Sequence, residues 1–227
     1  MSVKKIMTFK SGKFAFSHNF SESEIQPLDI EFRVIYNSLK ELPILPALSY
    51  QFETELIRRS IYSTAAIEGN PLQENEVGEI IDSFPQQNIS EVKNIEIHNL
   101  KKAYDQISTI SPKSNFKLSE KFIKDIHKTV TNQLSVKLCT PGYYRNHIVK
   151  VGGKQHGGVD TPPKCLKDIQ ILMAEYIKWF NSKNIQALTP IVRSTLAHYH
   201  LSLIHPFGDG NGRTARIIEA TDRKSVV

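Results

Sequence analysis

Apolar residues recur at three- and four-residue steps along most of this 227-residue chain. That spacing places them on one face of an α-helix, so the sequence predicts a mainly α-helical protein. Prolines and glycines divide the pattern into segments. Helices are predicted from about 28 to the prolines at 43 and 46, then at about 49–68, 73–84, 89–109, 119–134, 164–182 and 189–204, with one more beginning near 212.

Residues 139–163 depart from the helical pattern. They contain five glycines and three prolines around the alternating run His147–Val151, which is typical of a β-hairpin. The first 27 residues show little pattern beyond the short alternating piece Lys13–Phe16. The predicted fold class is therefore all-α with one short β-hairpin.

Composition narrows the class of protein. With 40% hydrophobic and 23% charged residues, the chain has the proportions of a globular protein with a packed core. No stretch approaches the roughly 18–20 apolar residues of a membrane span, and the N-terminus lacks the apolar segment of a signal peptide. Two cysteines, Cys139 and Cys165, are too few for a disulfide framework. We expect a cytoplasmic protein with no membrane segment and no redox role.

Positive charge is concentrated in one part of the chain. The net charge is +6, and the stretch from Lys113 to Lys154 holds nine basic against two acidic residues. These lysines are not interleaved with aromatic residues that could stack on bases, so the pattern favours a solvated helix face over a nucleic-acid site.

The segment His205–Arg216 carries the densest set of functional residue types. It is a loop between two helical segments, and three glycines alternate there with Asp209 and Asn211. Such a loop leads free N–H groups into the start of a helix, where the helix dipole also favours an anion. Arg213 and Arg216 follow three residues apart, so a polyphosphate is the predicted ligand.

Two further residues of this loop are of types that bind a metal ion or transfer a proton. Asp209 offers the hard oxygen that Mg²⁺ uses when it is bound through one or two carboxylates and the phosphates of a nucleotide. His205 ends the preceding helix and can accept a proton from a hydroxyl near neutral pH. Phe207 is expected to face inward as an anchor for the loop. Packing alone does not require this combination.

The segment resembles the Fic motif, which reads histidine, proline, phenylalanine, any residue, an acidic residue, glycine, asparagine, glycine, arginine, two further residues and arginine. Upstream, Pro141–Arg145, Val149–Gly152 and Thr161–Pro163 are similar to the β-hairpin flap of Fic proteins. The resemblance covers roughly residues 60–220. It implies a mainly helical Fido fold and transfer of AMP from ATP to a Ser, Thr or Tyr hydroxyl of a target protein.

The resemblance also implies roles for individual residues. His205 would be the base, and Asp209 would hold Mg²⁺. The nucleotide would be bound by Phe207, Gly208, Gly210, Asn211, Gly212, Arg213 and Arg216. The flap, at about 141–163, would clamp the target as an added strand. The flap residues concerned are Val149, Lys150, Val151, Val159, Asp160 and Thr161.

A second segment, Ser63–Asn70, resembles the inhibitory motif of Fic proteins. Thr64, Glu68 and Gly69 fall on its matching positions, at the end of the helix predicted at about 50–69. A carboxylate at a helix C-terminus is unfavourable, by about 0.3–1 kcal/mol, unless a cation compensates it. The resemblance implies that Glu68 pairs with Arg216 and blocks the γ-phosphate site, as in the group with an N-terminal inhibitory helix. Whether Glu68 also helps to remove AMP stays open.

The resemblance divides the chain into two parts. Residues 1–110 would form an N-terminal helical region with the inhibitory helix, and residues 111–227 would form the Fic core. The family continues after the motif through a long apolar helix, whereas Thr221–Val227 is short and polar. We therefore expect a C-terminally incomplete Fic core.

Three other functions remain open. A phosphotransferase of related fold typically carries a lysine in this turn, and Gly212 argues against it. A non-catalytic, Fic-derived regulatory or DNA-associated module would use the basic segment, and its binding to duplex DNA would depend steeply on salt. Removal of AMP is the third.

Other candidate partners and sites can be narrowed from the sequence. A hydrolytic metal site is disfavoured, because His198 and His200 lie about 200° apart on one helix. The expected partner is a protein target with an acidic surface rather than nucleic acid, and a homo-oligomer stays open.

Overall fold

The computed structural model describes residues 3–17, 20–83, 90–110, 116–134, 137–153, 158–160 and 162–224. Within these ranges it contains nine α-helices and two antiparallel sheets of two strands each, which confirms the predicted mainly helical class. The helices are α1 (Glu22–Lys40), α2 (Pro46–Ile67), α3 (Glu74–Asp82), α4 (Val92–Ser108), α5 (Glu120–Val130), α6 (Leu166–Phe180), α7 (Lys183–Gln186), α8 (Pro190–Ile204) and α9 (Asn211–Lys224). The strands are β1 (Lys4–Met7), β2 (Lys13–Phe16), β3 (Val151–Gly153) and β4 (Gly158–Asp160).

The helix ends follow local signals that the sequence carries. Pro46 occupies the start of α2, where a missing N–H costs nothing, so this helix begins before the predicted position. Gly69 has φ +89 and follows the last residues of α2, as a C-terminal glycine does. The Ser119 hydroxyl accepts a hydrogen bond from the Phe122 N–H, which confirms the predicted N-cap of α5.

The first residues form regular structure that the sequence did not predict. β1 and β2 pair in antiparallel register from Lys4 with Phe16 to Met7 with Lys13, so the expectation of an unpatterned leader is wrong for this stretch. Phe16 is fully buried and packs against Trp179 of α6, with the ring centroids 5.8 Å apart. The hairpin is thus part of the core.

The turn of this hairpin is held by a buried carboxylate of α6. Asp168 accepts hydrogen bonds from the N–H groups of Phe9, Lys10 and Ser11 at 2.7–3.0 Å, and from the Ser11 hydroxyl at 2.5 Å. Burial by itself would raise the pKa of Asp168, but the bonds from Ser11, Lys10 and Phe9 outweigh it and lower the pKa. This contact spans more than 150 residues of chain, so local sequence patterns cannot reveal it.

Replacing Asp168 by alanine should lower the free energy of unfolding by about 3 kcal/mol, because buried N–H donors lose a charged acceptor. Thermal or urea unfolding measures the loss. Asp105→Ala is the matched control, because its exposed ion pair with Lys101 contributes about 0–1 kcal/mol. The difference in the free energy of unfolding between the two variants should shrink as the pH falls below the ordinary carboxyl pKa. The reason is that Asp168, whose pKa is lowered in the folded protein, stabilises the fold only while its carboxylate is ionised. Equal unfolding midpoints at pH 7 would contradict the assignment.

The core consists of two hydrophobic clusters that meet at α5 and α9. One cluster is built mainly from α6 and α8 and includes Phe16, and the other from α2, α3 and α4. In α9, Ala215 and Ile218 join the first cluster, whereas Ile217 joins the second. α9 is therefore fixed from both sides. The domain boundary near residue 110 stays a prediction, and each cluster takes side chains from both sides of it.

The apolar stripe that predicted α1 is not buried among the described residues. The helix is confirmed, but it begins six residues before the predicted start and contains Pro27. Four side chains of its apolar stripe are more than half exposed. They are Ile30, Val34, Ile35 and Leu39.

A candidate phosphate-binding site at the start of α9

The loop between α8 and α9 is closed by its own side chains. Asn211 accepts a hydrogen bond from the Phe207 N–H at 2.9 Å and donates one to the Phe207 carbonyl at 3.0 Å. Both polar groups of this buried amide are thereby used. The group of Asn211 that remains for a ligand is its main-chain N–H, in the first turn of α9.

Phe207 anchors the loop in the core, as expected. Its ring is fully buried and stacks on the ring of His127 with the centroids 3.6 Å apart. The ring therefore cannot contact a nucleotide, and the main-chain N–H and carbonyl of Phe207 are already bonded to Asn211. Gly208 runs beside the main chain of Leu138, and Gly210 has φ +72 with the Thr131 methyl group next to it. The glycines let the loop lie directly on α5 and on the segment after it.

His205 lies at the turn where α8 ends. It adopts φ +48, a left-handed conformation that is uncommon outside glycine. Burial lowers the pKa of its imidazole, and the nearby Arg145 acts in the same direction, whereas a hydrogen bond to Ser202 and the carboxylates of Asp209 and Glu68 act against them. The ring is therefore mainly neutral at pH 7, which is the form that can accept a proton.

Arg145 holds this turn from the segment before the flap. Its N–H donates to the Pro206 carbonyl at 2.9 Å, and its guanidinium donates to the carbonyls of His205 at 2.8 Å and His147 at 2.6 Å. Burial lowers the pKa of Arg145 to about 10, so it stays charged at neutral pH. These bonds stabilise the strained conformation of His205. In the sequence Arg145 belongs to the flap-like segment, and no local pattern there indicates this role.

Arg213 is buried between two carboxylates. Its guanidinium donates to Asp209 Oδ2 at 2.5 Å and to Glu96 Oε1 at 2.6 Å. Glu96, on α4, also accepts a hydrogen bond from the Asn70 amide at 2.8 Å. Glu96 therefore connects the segment after α2 to Arg213 in the first turn of α9. Nothing near Glu96 in the sequence distinguishes it from an ordinary surface glutamate.

Glu68 reaches the same loop from the end of α2. Its Oε1 accepts a hydrogen bond from the Arg216 guanidinium, and its Oε2 lies 4.0 Å from Arg213 Nε. A Cβ added at Gly212 would lie 2.5 Å from Glu68 Oε1. The carboxylate is thus placed against the first turn of α9, where an anion would bind. Thr64, one turn earlier in α2, is buried.

Asp209 fits a magnesium ion only if the phosphates supply other ligands. Among the described residues there is no group of three or more His, Cys, Asp or Glu side chains placed to hold a metal. The Asp209 side chain is 31% exposed, so an oxygen can still face a ligand. One carboxylate with phosphates and water is a usual Mg²⁺ arrangement at a nucleotide.

The flap is a shorter hairpin than its alternating pattern suggested. Val151 pairs with Asp160, and Gly152 with Val159, whereas Val149 and Lys150 precede β3. Thr161 lies outside the described residues. Val151, Val159 and Asp160 therefore share one hairpin, and Val149 and Lys150 lead into it.

The basic stretch is partly neutralised by its own helix. Lys121 pairs with Asp125 and Lys124 with Glu120, each one helical turn apart. Lys113 and Lys154 lie outside the described residues. This pairing agrees with the solvated helix face expected from the sequence.

The start of α9 thus brings a glycine loop together with Arg213 and Arg216, and His205 lies beside it at the end of α8. Residues 117–221 match the Fic/DOC family, so this segment contains a Fic/DOC domain. No helix among the described residues combines the length and apolar character needed to cross a membrane.

Curated relatives and solved structures agree with this assignment. The chain is 32% identical over 173 residues to the protein adenylyltransferase Fic of Aedes aegypti, covering 74% of this chain and 32% of the relative. It is 33% identical to that of Drosophila erecta, covering 71% and 31%. The chain thus spans about a third of the length of these relatives. A Fic domain containing signaling protein from Bacteroides thetaiotaomicron shares the fold, with a TM-score of 0.74 at 22% identity over 85% of this chain and 72% of that one.

Proposed function

We propose that this chain transfers AMP from ATP to a hydroxyl group of a protein side chain, Ser, Thr or Tyr. The observation that carries the proposal is the placement of His205 beside the start of α9, the helix that carries Arg213 and Arg216. The curated relatives are named protein adenylyltransferases, which supports the same reaction class.

In the proposed reaction, His205 takes the proton of the target hydroxyl. The hydroxyl oxygen then forms a bond to the α-phosphorus of ATP, and the bond from that phosphorus to the bridging oxygen breaks. Pyrophosphate leaves with the electron pair of that bond. The main-chain N–H groups at Gly210, Asn211 and Gly212 would hold the α- and β-phosphates. Asp209 would hold Mg²⁺, which neutralises phosphate charge when bound.

We also propose that Glu68 inhibits this reaction. The Arg216 guanidinium is engaged by Glu68 and is not free for the γ-phosphate. The same carboxylate occupies the space next to Gly212, so a triphosphate in the productive position would meet a negative charge. ATP binding in that position requires Glu68 to move.

The target would bind along the flap. An added strand is held by main-chain hydrogen bonds and tolerates many sequences, and Val151, Val159 and Asp160 lie in the hairpin that offers such an edge. Lys150, just before β3, would favour an acidic target surface.

The position of the label on ATP tests the reaction type. Compared with the lysate alone, adding the Glu68→Gly form should increase protein label from ATP marked at the α-phosphate and should add no label from ATP marked at the γ-phosphate. An adduct with the mass of AMP should appear on a Ser, Thr or Tyr residue. Label from the γ-position would instead identify a phosphotransferase, and label from neither would remove the transferase proposal.

A further inference from the structure

His127 of α5 is a fully buried histidine that contacts both the phosphate-binding loop and the segment leading to the flap. It lies 78 residues before His205 in the chain, and the sequence pattern singled it out for no role. Both of its ring nitrogens and one face of its ring have a defined partner.

Both ring nitrogens are used by main-chain groups. The Gly142 N–H donates to Nδ1 at 2.8 Å, so Nδ1 carries no proton and Nε2 is the protonated nitrogen. Nε2 donates to the Asp209 carbonyl at 2.9 Å. Burial lowers the pKa of His127 to about 4, against the opposing effect of Asp209. One neutral tautomer therefore joins Gly142 to the loop.

The flat face of the ring fixes a second point of the loop. The rings of His127 and Phe207 are inclined by only 5°. His127 thus holds the loop at Phe207 by stacking and at Asp209 by a hydrogen bond. A Cβ at Gly210 would lie at an ordinary contact distance of 3.6 Å from the ring but only 2.6 Å from the Thr131 methyl group, so Thr131 is the neighbour that excludes a side chain there.

An apolar ring would fill this space as well as a histidine does. It would leave the Asp209 carbonyl and the Gly142 N–H without these partners, and an unpaired buried polar group costs about 1–3 kcal/mol. The use of both nitrogens therefore indicates that the directions of the two main-chain groups matter, and not only the volume of the side chain.

We propose that His127 is a positioning residue: its bond to the Asp209 carbonyl sets the orientation of Asp209 relative to the start of α9, and its bond to Gly142 couples that orientation to the base of the flap. The expected effect on the rate of AMP transfer rests on the proposed function. The expected effect on the conformation of the loop does not depend on it.

Two variants separate the two nitrogens. In His127→Asn, the side-chain oxygen can still accept from Gly142 but nothing reaches Asp209. In His127→Gln, the side-chain nitrogen can still donate to the Asp209 carbonyl but the bond to Gly142 is lost. Both remove the aromatic stacking, and Asn is one methylene smaller than Gln, so the thermal midpoint of each variant is measured to account for the difference in lost packing. Both are made in the Glu68→Gly form and in the wild type.

We expect His127→Asn to lower kcat by about tenfold, the value of one hydrogen bond of roughly 1.4 kcal/mol, with KM for ATP little changed. It should also raise the Mg²⁺ concentration needed for half-maximal rate. His127→Gln should keep most of the rate. Amide hydrogen exchange of the loop 206–210 should be faster in His127→Asn than in His127→Gln, because only the former frees Asp209.

The exchange measurement decides the proposal independently of transfer. Equal exchange rates of the loop in the two variants overturn the proposal. A loss of kcat that is proportional to the loss of thermal stability, by the same factor in both variants, overturns it as well. Faster exchange in His127→Asn alone, in a Glu68→Gly form that labels no protein, supports the positioning role while the proposed function fails.

Discussion

Replacing Glu68 by glycine should raise the rate of protein labelling from α-labelled ATP by about 10- to 100-fold. The substitution frees Arg216 and vacates the space beside Gly212, so the γ-phosphate can reach the arginine. The rate is measured as AMP incorporated into the protein itself and into a lysate.

The size of the effect follows from the contact that is lost. The side chains of Glu68 and Arg216 are 23% and 18% exposed, so their hydrogen bond is partly shielded from water. A hydrogen bond of this charged type contributes about 1.5–3 kcal/mol, which corresponds to about 10- to 100-fold in the population of the open site. Arg213 should keep its place, since Glu96 and Asp209 hold it without Glu68.

Two variants control the interpretation. Glu68→Gln keeps the size of the side chain without its charge and should release only part of the inhibition. Glu41→Gly makes the same change at the C-cap of α1, so it matches the backbone effect of a glycine at a helix end and should leave the rate unchanged. Equal labelling by wild type and Glu68→Gly would refute inhibition by Glu68.

The sequence could predict the parts of the site that are continuous in the chain. His205 to Arg216 lie on one turn and one helix, so their spacing alone determines that they meet. The end of α2 at Glu68 was predictable as well, because Gly69 is a local stop signal. The pairing of Glu68 with Arg216 crosses 148 residues, and only the family resemblance suggested it.

The residues that the sequence did not reveal all act across long distances in the chain. Glu96, His127 and Arg145 reach the loop from three different segments, and each is of a residue type that normally lies on a surface or caps a helix. Asp168 does the same for the N-terminal hairpin. Hydrophobic spacing identifies the apolar face of a helix, but it carries no information on which buried polar side chain meets which main-chain group.

The same limit applies to α1. Its apolar spacing predicted the helix correctly, because spacing reports the periodicity of the backbone. Burial of the apolar face requires a partner surface elsewhere, which the spacing does not report. Among the described residues this face stays exposed, so a pattern that is sufficient for secondary structure is insufficient for packing.

Replacing His205 by alanine in the Glu68→Gly form should reduce AMP transfer by about 10²- to 10⁴-fold, the usual contribution of a general base. Binding of ATP should persist, because the N–H groups of α9 and the two arginines are unchanged. Transfer is measured with α-labelled ATP, and binding by calorimetry on the same proteins. His198→Ala is the matched control on α8, since His198 pairs with Glu219 rather than facing the loop. Retained transfer would exclude His205 as the base, and loss of ATP binding would mean that it has a structural role.

The dependence of the rate on pH distinguishes a His205 that acts as the general base from a His205 that only positions other groups. Burial lowers the pKa of His205, so kcat/KM, which reports the ligand-free protein, should stay level from about pH 8 down to neutrality and fall only below the ordinary histidine pKa of about 6.5. Glu68 raises the pKa of His205, and its removal should move the fall to still lower pH. Wild type, measured at its lower rate, should therefore lose activity at a higher pH than Glu68→Gly. A fall above pH 7 in Glu68→Gly, or the same midpoint in both proteins, would contradict the assignment of His205 as the group that titrates.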